Sequence, residues 1–554
     1  MQKTHPPYLF RPPLARPEEK GGAPPDYRRS VEDGALIEKD VAIALRDGVR
    51  IYADIFRPAD ETPAPPIIAW GPYGKHGHTR YGANFPKADV DDDRLSKYTA
   101  FEAPDALHWV KHGYAVINVD PRGTWYSEGD ATYLSPEEAQ DFCDVIEWAG
   151  VQPWSNGKVG LSGVSYLTSS QWRVAELNPP HLAAINPWEG WTDTYREVAR
   201  HGGIPETSFW PYLPTRWGHG VNQVEDLRTE TAEHPFYDDF WRSKTADFSK
   251  ITVPAYVVAS WTDQGLHTRG TLEGFKHIRS ERKWLEVHGR KKWYYYYEPD
   301  SVRRQIAFFD HFLKGEDTEI AAWPKVQLEV RKSYNIGDFH AETEWPLART
   351  RHVPLYLDAA SGRLSREAAP TPSSLSYDAT APADQPGRAT FDFVFDERTE
   401  LVGHMKLKLF VSTDAGDDMD LFVAIQKLGP NGEIVPFAYY AQFEDGPVAL
   451  GWLRVSHREL DADASTPFQP VLKHQRELKI EPGEIVPVEI EIWPSGTLFE
   501  PGSSLRVVVQ GRDIYDYPKP SVYARHEALV NQGWHTIHTG GKHDSYLLIP
   551  LIPD

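Results

Sequence analysis

Cysteine is almost missing. Cys143 is the single copy in 554 residues, so no disulfide can close within the chain. That suits a reducing compartment. No apolar stretch approaches the roughly 18–20 residues that a membrane-spanning helix needs. The run Met1–Gly22 carries proline and charge where a signal peptide would carry an apolar segment. Positive charge is in deficit: 59 Lys and Arg stand against 80 Asp and Glu, a net charge of −21. Phosphate backbones and anionic lipid heads repel such a surface. Nucleic acid and membrane are therefore not expected as partners, and the expected location is the cytoplasm. There is no internal repeat and no long low-complexity tract.

What is present is ample core material. Hydrophobic residues make up 40% and aromatics 12%, with 19 tryptophans. The length fits about three domains. Residues 1–35, rich in Pro, Gly and charge, read as a surface arm with little structure of its own. Val41–Leu45 and Arg50–Phe56 alternate around Arg46-Asp47-Gly48, as in a hairpin. Pro66–Trp70, Ala115–Val119 and Val159–Ser162 are apolar on both sides, as strands of a parallel sheet are. Between the last two, Glu137–Ala149 has helical spacing behind the start signal Ser135-Pro136-Glu137-Glu138. Strand, helix and strand in this order argue for a doubly wound α/β sheet. Residues 188–250 break the rhythm with Trp188, Trp191, Tyr195, Phe209, Trp210, Tyr212 and Trp217, and read as a mostly helical insertion. Strand character returns at Ala255–Ala259 and Lys283–Val287, then a helix at Val302–Leu313. From about residue 321 short alternating strands dominate: Lys325–Arg331, Val353–Asp358, Lys406–Ser412, Asp420–Lys427, Val486–Trp493, Ser504–Gln510 and Ser545–Ile549. That pattern predicts an antiparallel sandwich or jelly roll.

The sharpest local signal is Val159-Gly160-Leu161-Ser162-Gly163-Val164-Ser165-Tyr166-Leu167. A buried strand runs through Gly-x-Ser into a helical pattern, which is the layout of a nucleophile elbow. A side chain at Gly163 would clash with the tight turn, and the following helix directs its N-terminus at Ser165. Gly-x-Ser alone is a weak pattern; its context promotes Ser165 to candidate nucleophile. A serine needs a base and a carboxylate. Asp263 falls just past the strand Ala255–Ala259, and His288, 25 residues further on, just past Lys283–Val287. Open α/β sheets bind ligands at such strand ends. Among 22 histidines, His267 and His311 are rivals. Both fall where helix is predicted, so they rank behind His288.

These residues carry a resemblance. Gly163-Val164-Ser165-Tyr166-Leu167 resembles the Gly-x-Ser-Tyr-x-Gly elbow of the cocaine-esterase-like and Xaa-Pro dipeptidyl-peptidase (CocE/NonD-type) hydrolases. So do Asp120-Pro121-Arg122-Gly123 with Ser127-Glu128-Gly129, His234–Trp241, Ile251–Ala255 and Gly451–Arg458, over nearly the whole chain beyond the arm. The resemblance implies an α/β-hydrolase core (36–187 and 251–320), an inserted helical cap (188–250) and a C-terminal β jelly roll (321–554) of the galactose-binding-like type. It implies a triad on Ser165, Asp263 and His288, with an oxyanion hole from the Tyr73 hydroxyl and the Tyr166 N–H. Thr168 stands where the family has glycine, which alters how closely the elbow helix packs.

The implied chemistry is acyl transfer to water on a small ester or amide, with no metal or organic cofactor. The acidic run Asp414 to Asp420 does not have the spacing of a calcium loop. Trp188, Trp191, Trp210 and Trp261 are candidates to line a pocket for an apolar acyl group. Ester hydrolysis is the favoured reading and amide or Xaa-Pro cleavage the alternative. The latter would need a carboxylate for the substrate ammonium, for which Glu189, Asp193 and Glu197 are candidates. A third reading, from a different class, is a carbohydrate-binding protein whose hydrolase core is idle. A homo-oligomer stays open.

Overall fold

The computed structural model describes residues 7–60, 62–77, 79–216, 219–517 and 523–553; Trp217 lies outside them. Its centre is a sheet of β1 (Arg28–Glu32), β2 (Ala35–Ala44), β3 (Arg50–Pro58), β4 (Pro66–Trp70), β5 (Ala115–Asp120), β6 (Val159–Val164), β7 (Leu182–Trp188), β8 (Ala255–Ser260), β9 (Lys283–His288), β10 (Val326–Ser333) and β11 (Ile336–Glu342). The spatial order is β1-β2-β3-β5-β4-β6-β7-β8-β9-β10-β11. From β5 through β10 every neighbour is parallel, while both margins are antiparallel.

Successive residues of the parallel strands face opposite sides, so each strand must be apolar throughout. Ile68, Leu161 and Val257 enter one core with Phe142, Val145 and Ile146 of α2 (Pro136–Gly150), Trp172 of α3 (Tyr166–Ala175) and Leu272 of α4 (Thr268–His277). Ile67 and Val258 enter the opposite core with Phe308 and Phe309 of α5 (Pro299–Phe309). Each such side chain contributes about 1.5–3 kcal/mol by leaving water. Helix α2 starts where the sequence expects: the Ser135 hydroxyl accepts the Glu138 N–H at 2.9 Å.

Three expectations need revision. The arm is not without structure: Arg28–Glu32 is a strand of the main sheet, and Phe10–Arg11 pairs with Val224–Glu225. Val326–Ser333 has the alternating look of the C-terminal strands, yet it pairs in parallel with β9 and extends the hydrolase sheet. Residues 188–250, expected to be mostly helical, carry only short helical turns such as Leu227–Glu233 and Asp239–Ser243 between loops and two-residue strands.

Beyond β11 the chain is strand-rich. Thr399–Thr413 pairs antiparallel with Val486–Phe499 and Tyr546–Leu551, and Asp420–Leu428 with Ala449–Arg454 and Ser504–Gln510. A single apolar core unites Leu407, Leu409, Val423, Ile425, Ile490, Val507 and Leu547. This domain grips the loop that follows β8. The Gln264 side chain donates to Pro494 O at 3.1 Å and accepts the Leu450 N–H at 3.1 Å, and the Tyr440 N–H donates to Thr262 O at 3.0 Å. Arg269 pairs with Glu491 at 3.0 Å.

Candidate active site

Strand β6 ends at Val164, and the chain then turns sharply. Ser165 has φ +64° and ψ −118°, a strained conformation for a residue with a side chain, and α3 begins at the next residue. Gly163, at φ +147°, allows the turn: a Cβ there would lie 2.5 Å from Leu167 Cδ2. The turn is held by the Ser165 N–H, which faces Trp188 O at 3.0 Å and Glu189 O at 3.1 Å. Thr168, in the place of the family's glycine, is accommodated from the other side. Its hydroxyl donates to Trp188 O at 2.6 Å, and its methyl fills the space a Cβ on Gly190 would need.

The Ser165 hydroxyl is 3.1 Å from Nε2 of His267, and Nδ1 of His267 is bonded to the Asp263 carboxylate. All three groups are buried. An ionised carboxylate only accepts, so the Nδ1 proton points at Asp263 and Nε2 is left to accept from the serine. A hydroxyl, an imidazole and a carboxylate in one line is the geometry that a nucleophile, a base and an orienting acid require.

His288 does not reach this line, and the sequence-based assignment of the base is corrected here. The His288 Nδ1 accepts the Arg290 N–H at 3.1 Å, its Nε2 lies 3.0 Å from Glu189, and its ring packs on Tyr295 at 3.9 Å. It sits at the end of β9, but its ring is enclosed among other groups. The sequence pattern places His267 in a helix. It is instead the residue before α4, at φ −121° and outside the helix. Gly265, at φ +91°, turns the chain, and the N–H groups of Leu266, His267 and Thr268 converge on Asp263 O at 3.1–3.2 Å. Acid and base therefore stand on a single tight loop. The signal that could have found His267 is its spacing of four residues from Asp263 across a glycine.

The site holds more charge than a triad needs. Lys292, buried, donates to Asp263 at 3.1 Å, and its ammonium lies 3.4 Å from His267 Nδ1. Burial pushes the Asp263 carboxyl up, but Lys292 and His267 outweigh it and hold the group below the usual carboxylate range. Burial chiefly, aided by Lys292, lowers His267 against the pull of Asp263. Glu102 is pushed up to about 7 by burial, although Lys292 and the Trp293 indole N–H, at 2.8 Å, favour its anion. Burial and the neighbouring Asp263 raise Glu189. Sequence reasoning passed over Lys292 and Glu102, since neither lies in a motif.

Tyr73 follows β4 and shares hydrogen bonds with Ser165 and Glu102; burial and Glu102 keep its hydroxyl protonated, well above its ordinary range. The Tyr166 N–H is the first of α3, so it has no carbonyl one turn back. The Tyr166 side chain turns away and donates to Glu138 at 2.8 Å. Of the four tryptophans, Trp191 stacks on the His267 ring at 5.7 Å and 16°, and Trp210 packs against Trp191. Trp188 and Trp261 lie elsewhere. The Trp188 indole donates to Asn186 within the core on the α5 side of the sheet, and that of Trp261 donates to Glu329 O at 2.7 Å.

Comparison with known proteins agrees with this geometry. Residues 47–223 and 214–291 match the model of the X-Pro dipeptidyl-peptidase (S15) family, and residues 318–548 that of the X-Pro dipeptidyl-peptidase C-terminal non-catalytic domain. A CocE/NonD family hydrolase from Staphylococcus aureus is 43% identical, with a TM-score of 0.92 over 98% of this chain and 99% of that one. The cocaine esterase of Rhodococcus sp. is 25% identical over 94% of this chain and 100% of its own length. An α-amino acid ester hydrolase, 19% identical, shares the fold with a TM-score of 0.71. This chain is a serine hydrolase that belongs to the CocE/NonD family.

Proposed function

We propose that the protein hydrolyses a small carboxylic ester through an acyl-enzyme on Ser165, with His267 as base and Asp263 as its orienting acid. The observation that carries this reading is the buried line from Ser165 Oγ to His267 Nε2 at 3.1 Å and from His267 Nδ1 to Asp263. His267 takes the serine proton as Oγ attacks the carbonyl carbon, and Asp263 balances the imidazolium. The Tyr73 hydroxyl and the Tyr166 N–H face the developing oxyanion. His267 then protonates the leaving oxygen. Water, deprotonated by the same ring, releases the acid. Trp191, stacked on the His267 ring, and Trp210 against it give the site an apolar wall, which favours an apolar acyl group.

Ester is preferred to an N-terminal peptide because the nearby carboxylates are already engaged. Glu197 takes Arg269 at 2.6 Å and the Thr192 N–H at 2.7 Å. Asp193 takes Arg196 at 2.7 Å, and Glu189 takes Ser260 Oγ at 2.5 Å. A substrate ammonium would have to displace an arginine from Glu197 or Asp193, or reach the Glu189 Oε1 that the His288 ring faces. The finer architecture belongs to the same proposal: a cap over 188–250 and a jelly roll in the chain beyond β11, supported by the antiparallel pairings around Thr399–Thr413 and Asp420–Leu428. So does a cytoplasmic location, supported by the single cysteine.

The test compares p-nitrophenyl butyrate with Ala-Pro-p-nitroanilide and follows labelling by a fluorophosphonate. Faster turnover of the anilide would overturn the ester preference. Undiminished labelling of Ser165→Ala would remove the serine from the mechanism, and a wild-type enzyme that never labels would favour an idle core.

A further inference from the structure

The catalytic line is surrounded by more carboxyl groups than it uses. Asp263 comes from the loop after β8, Glu189 from the residue after β7, and Glu102 from the segment before α1 (Ala106–Lys111). All three are buried, and each feels the same ammonium, that of Lys292 in the segment after β9. His267, Tyr73 and His288, whose Nε2 lies 3.0 Å from Glu189, also face the cluster; Tyr81 and Tyr296 feel Glu102, and Tyr439 and Tyr440 of the C-terminal domain feel Asp263. Three carboxylates and one cation cannot all be ionised in a water-poor space without a large cost. Something must decide which carboxyl carries the charge. Distance decides it: the Lys292 ammonium donates directly to Asp263 at 3.1 Å, whereas the Glu102 and Glu189 carboxylates find other donors, the Trp293 indole at 2.8 Å and Ser260 at 2.5 Å.

Resting on the Ser165–His267–Asp263 reading, we propose that Lys292 is a positioning residue of this site. Its ammonium fixes the negative charge on Asp263 rather than on Glu102 or Glu189, and so holds His267 with Nδ1 toward the acid and Nε2 toward the serine. Its hydrogen bonds go to Asp263 and the His267 ring and not to Ser165. It acts through Asp263, and its charge also opposes protonation of His267 at 3.4 Å.

The sign of the effect is fixed whichever atom takes the proton. Removing a positive charge raises the proton affinity of every group around it. In Lys292→Met the acidic limb of the kcat/KM profile on p-nitrophenyl butyrate therefore moves to higher pH, by about one unit or more for a charge this close. At pH values below both limbs this appears as a roughly tenfold or larger loss, carried by kcat with KM little changed. Lys292→Arg keeps the charge and should keep the wild-type limb. If the methionine variant does not fold, Lys292→Gln carries the charge test with a polar head in the same slot. A folded, charge-free variant whose limb stays at the wild-type pH overturns the proposal, as does an arginine variant that shifts as far as methionine. Failure of the underlying reading looks different: His267→Ala would then retain activity whatever happens at position 292.

Discussion

Two neighbouring strand ends carry a buried histidine each, and they differ in what the rings face. Past β8, His267 has a carboxylate on one nitrogen and a serine hydroxyl on the other. At the end of β9, His288 has a backbone N–H on one nitrogen and Glu189 against the other. Both are buried, and burial depresses the basicity of both. Burial, a lowered pKa and a place at the catalytic edge of the sheet therefore do not separate a base from a structural residue. The partners of the two ring nitrogens do.

The strongest way to break this comparison is to remove each ring in turn. His267→Ala should lower kcat by about 10⁴–10⁶-fold while leaving the folded protein intact. His288→Ala should do the opposite. Activity per folded molecule should stay within about tenfold, while stability falls by about 2–4 kcal/mol because Glu189 and the Arg290 N–H lose a buried partner. Thermal melts and active-site titration on the same preparations separate the two. Loss of chemistry in a stable His288 variant would restore that residue as the base.

The same pair explains what could be read from the sequence. The elbow was legible because its requirements are local: a buried strand, Gly163 where a Cβ would strike Leu167, and a helix that begins after Ser165. The parallel sheet was legible because strands buried on both faces must be apolar throughout. Asp263 lies past a strand end, as the pattern of Ala255–Ala259 indicated. The base was not legible, because a strand end specifies an edge of the sheet and not the direction of a ring. That direction depends on Gly265 at φ +91° and on three N–H groups gathered by Asp263 O, none of which leaves a periodic trace. Trp188 and Trp261 were misread for a similar reason. Aromatic density marks a packed region and does not say which face of the sheet it packs against. Val326–Ser333 shows the limit for topology, since an alternating strand can join either domain.

A smaller effect sharpens the comparison on the oxyanion side. Tyr73 and Tyr166 both lie beside the serine, but the first presents its hydroxyl and the second its backbone. Tyr73→Phe should therefore cost about 10²–10³-fold in kcat, with KM nearly unchanged. Tyr166→Phe removes a hydrogen bond to Glu138 and leaves the N–H in place, so its cost should appear in stability rather than in kcat. Equal losses of kcat in the two variants would mean that the Tyr73 hydroxyl is not an oxyanion donor.

The smallest effect is in acid stability. Burial, partly opposed by Glu286 and Glu329, lowers His288 to about 3, against about 6.5 for an exposed histidine. The unfolded chain then binds a proton that the folded one refuses, so this residue's contribution is fully present above about pH 6.5 and is lost progressively as pH falls toward 3. His288→Gln removes the titration and keeps a polar side chain in the same place. Its melting temperature should be below that of the wild type at pH 7.5, and the deficit should narrow steadily as pH falls below 6.5. His267→Gln should show less narrowing, because Asp263 stands ready to share the proton that His267 would take. A constant deficit across that range in His288→Gln would mean that His288 takes up its proton in the folded protein as readily as in the unfolded chain despite its enclosure between Glu189, Arg290 and Tyr295, and the contrast between the two rings would lose its physical basis.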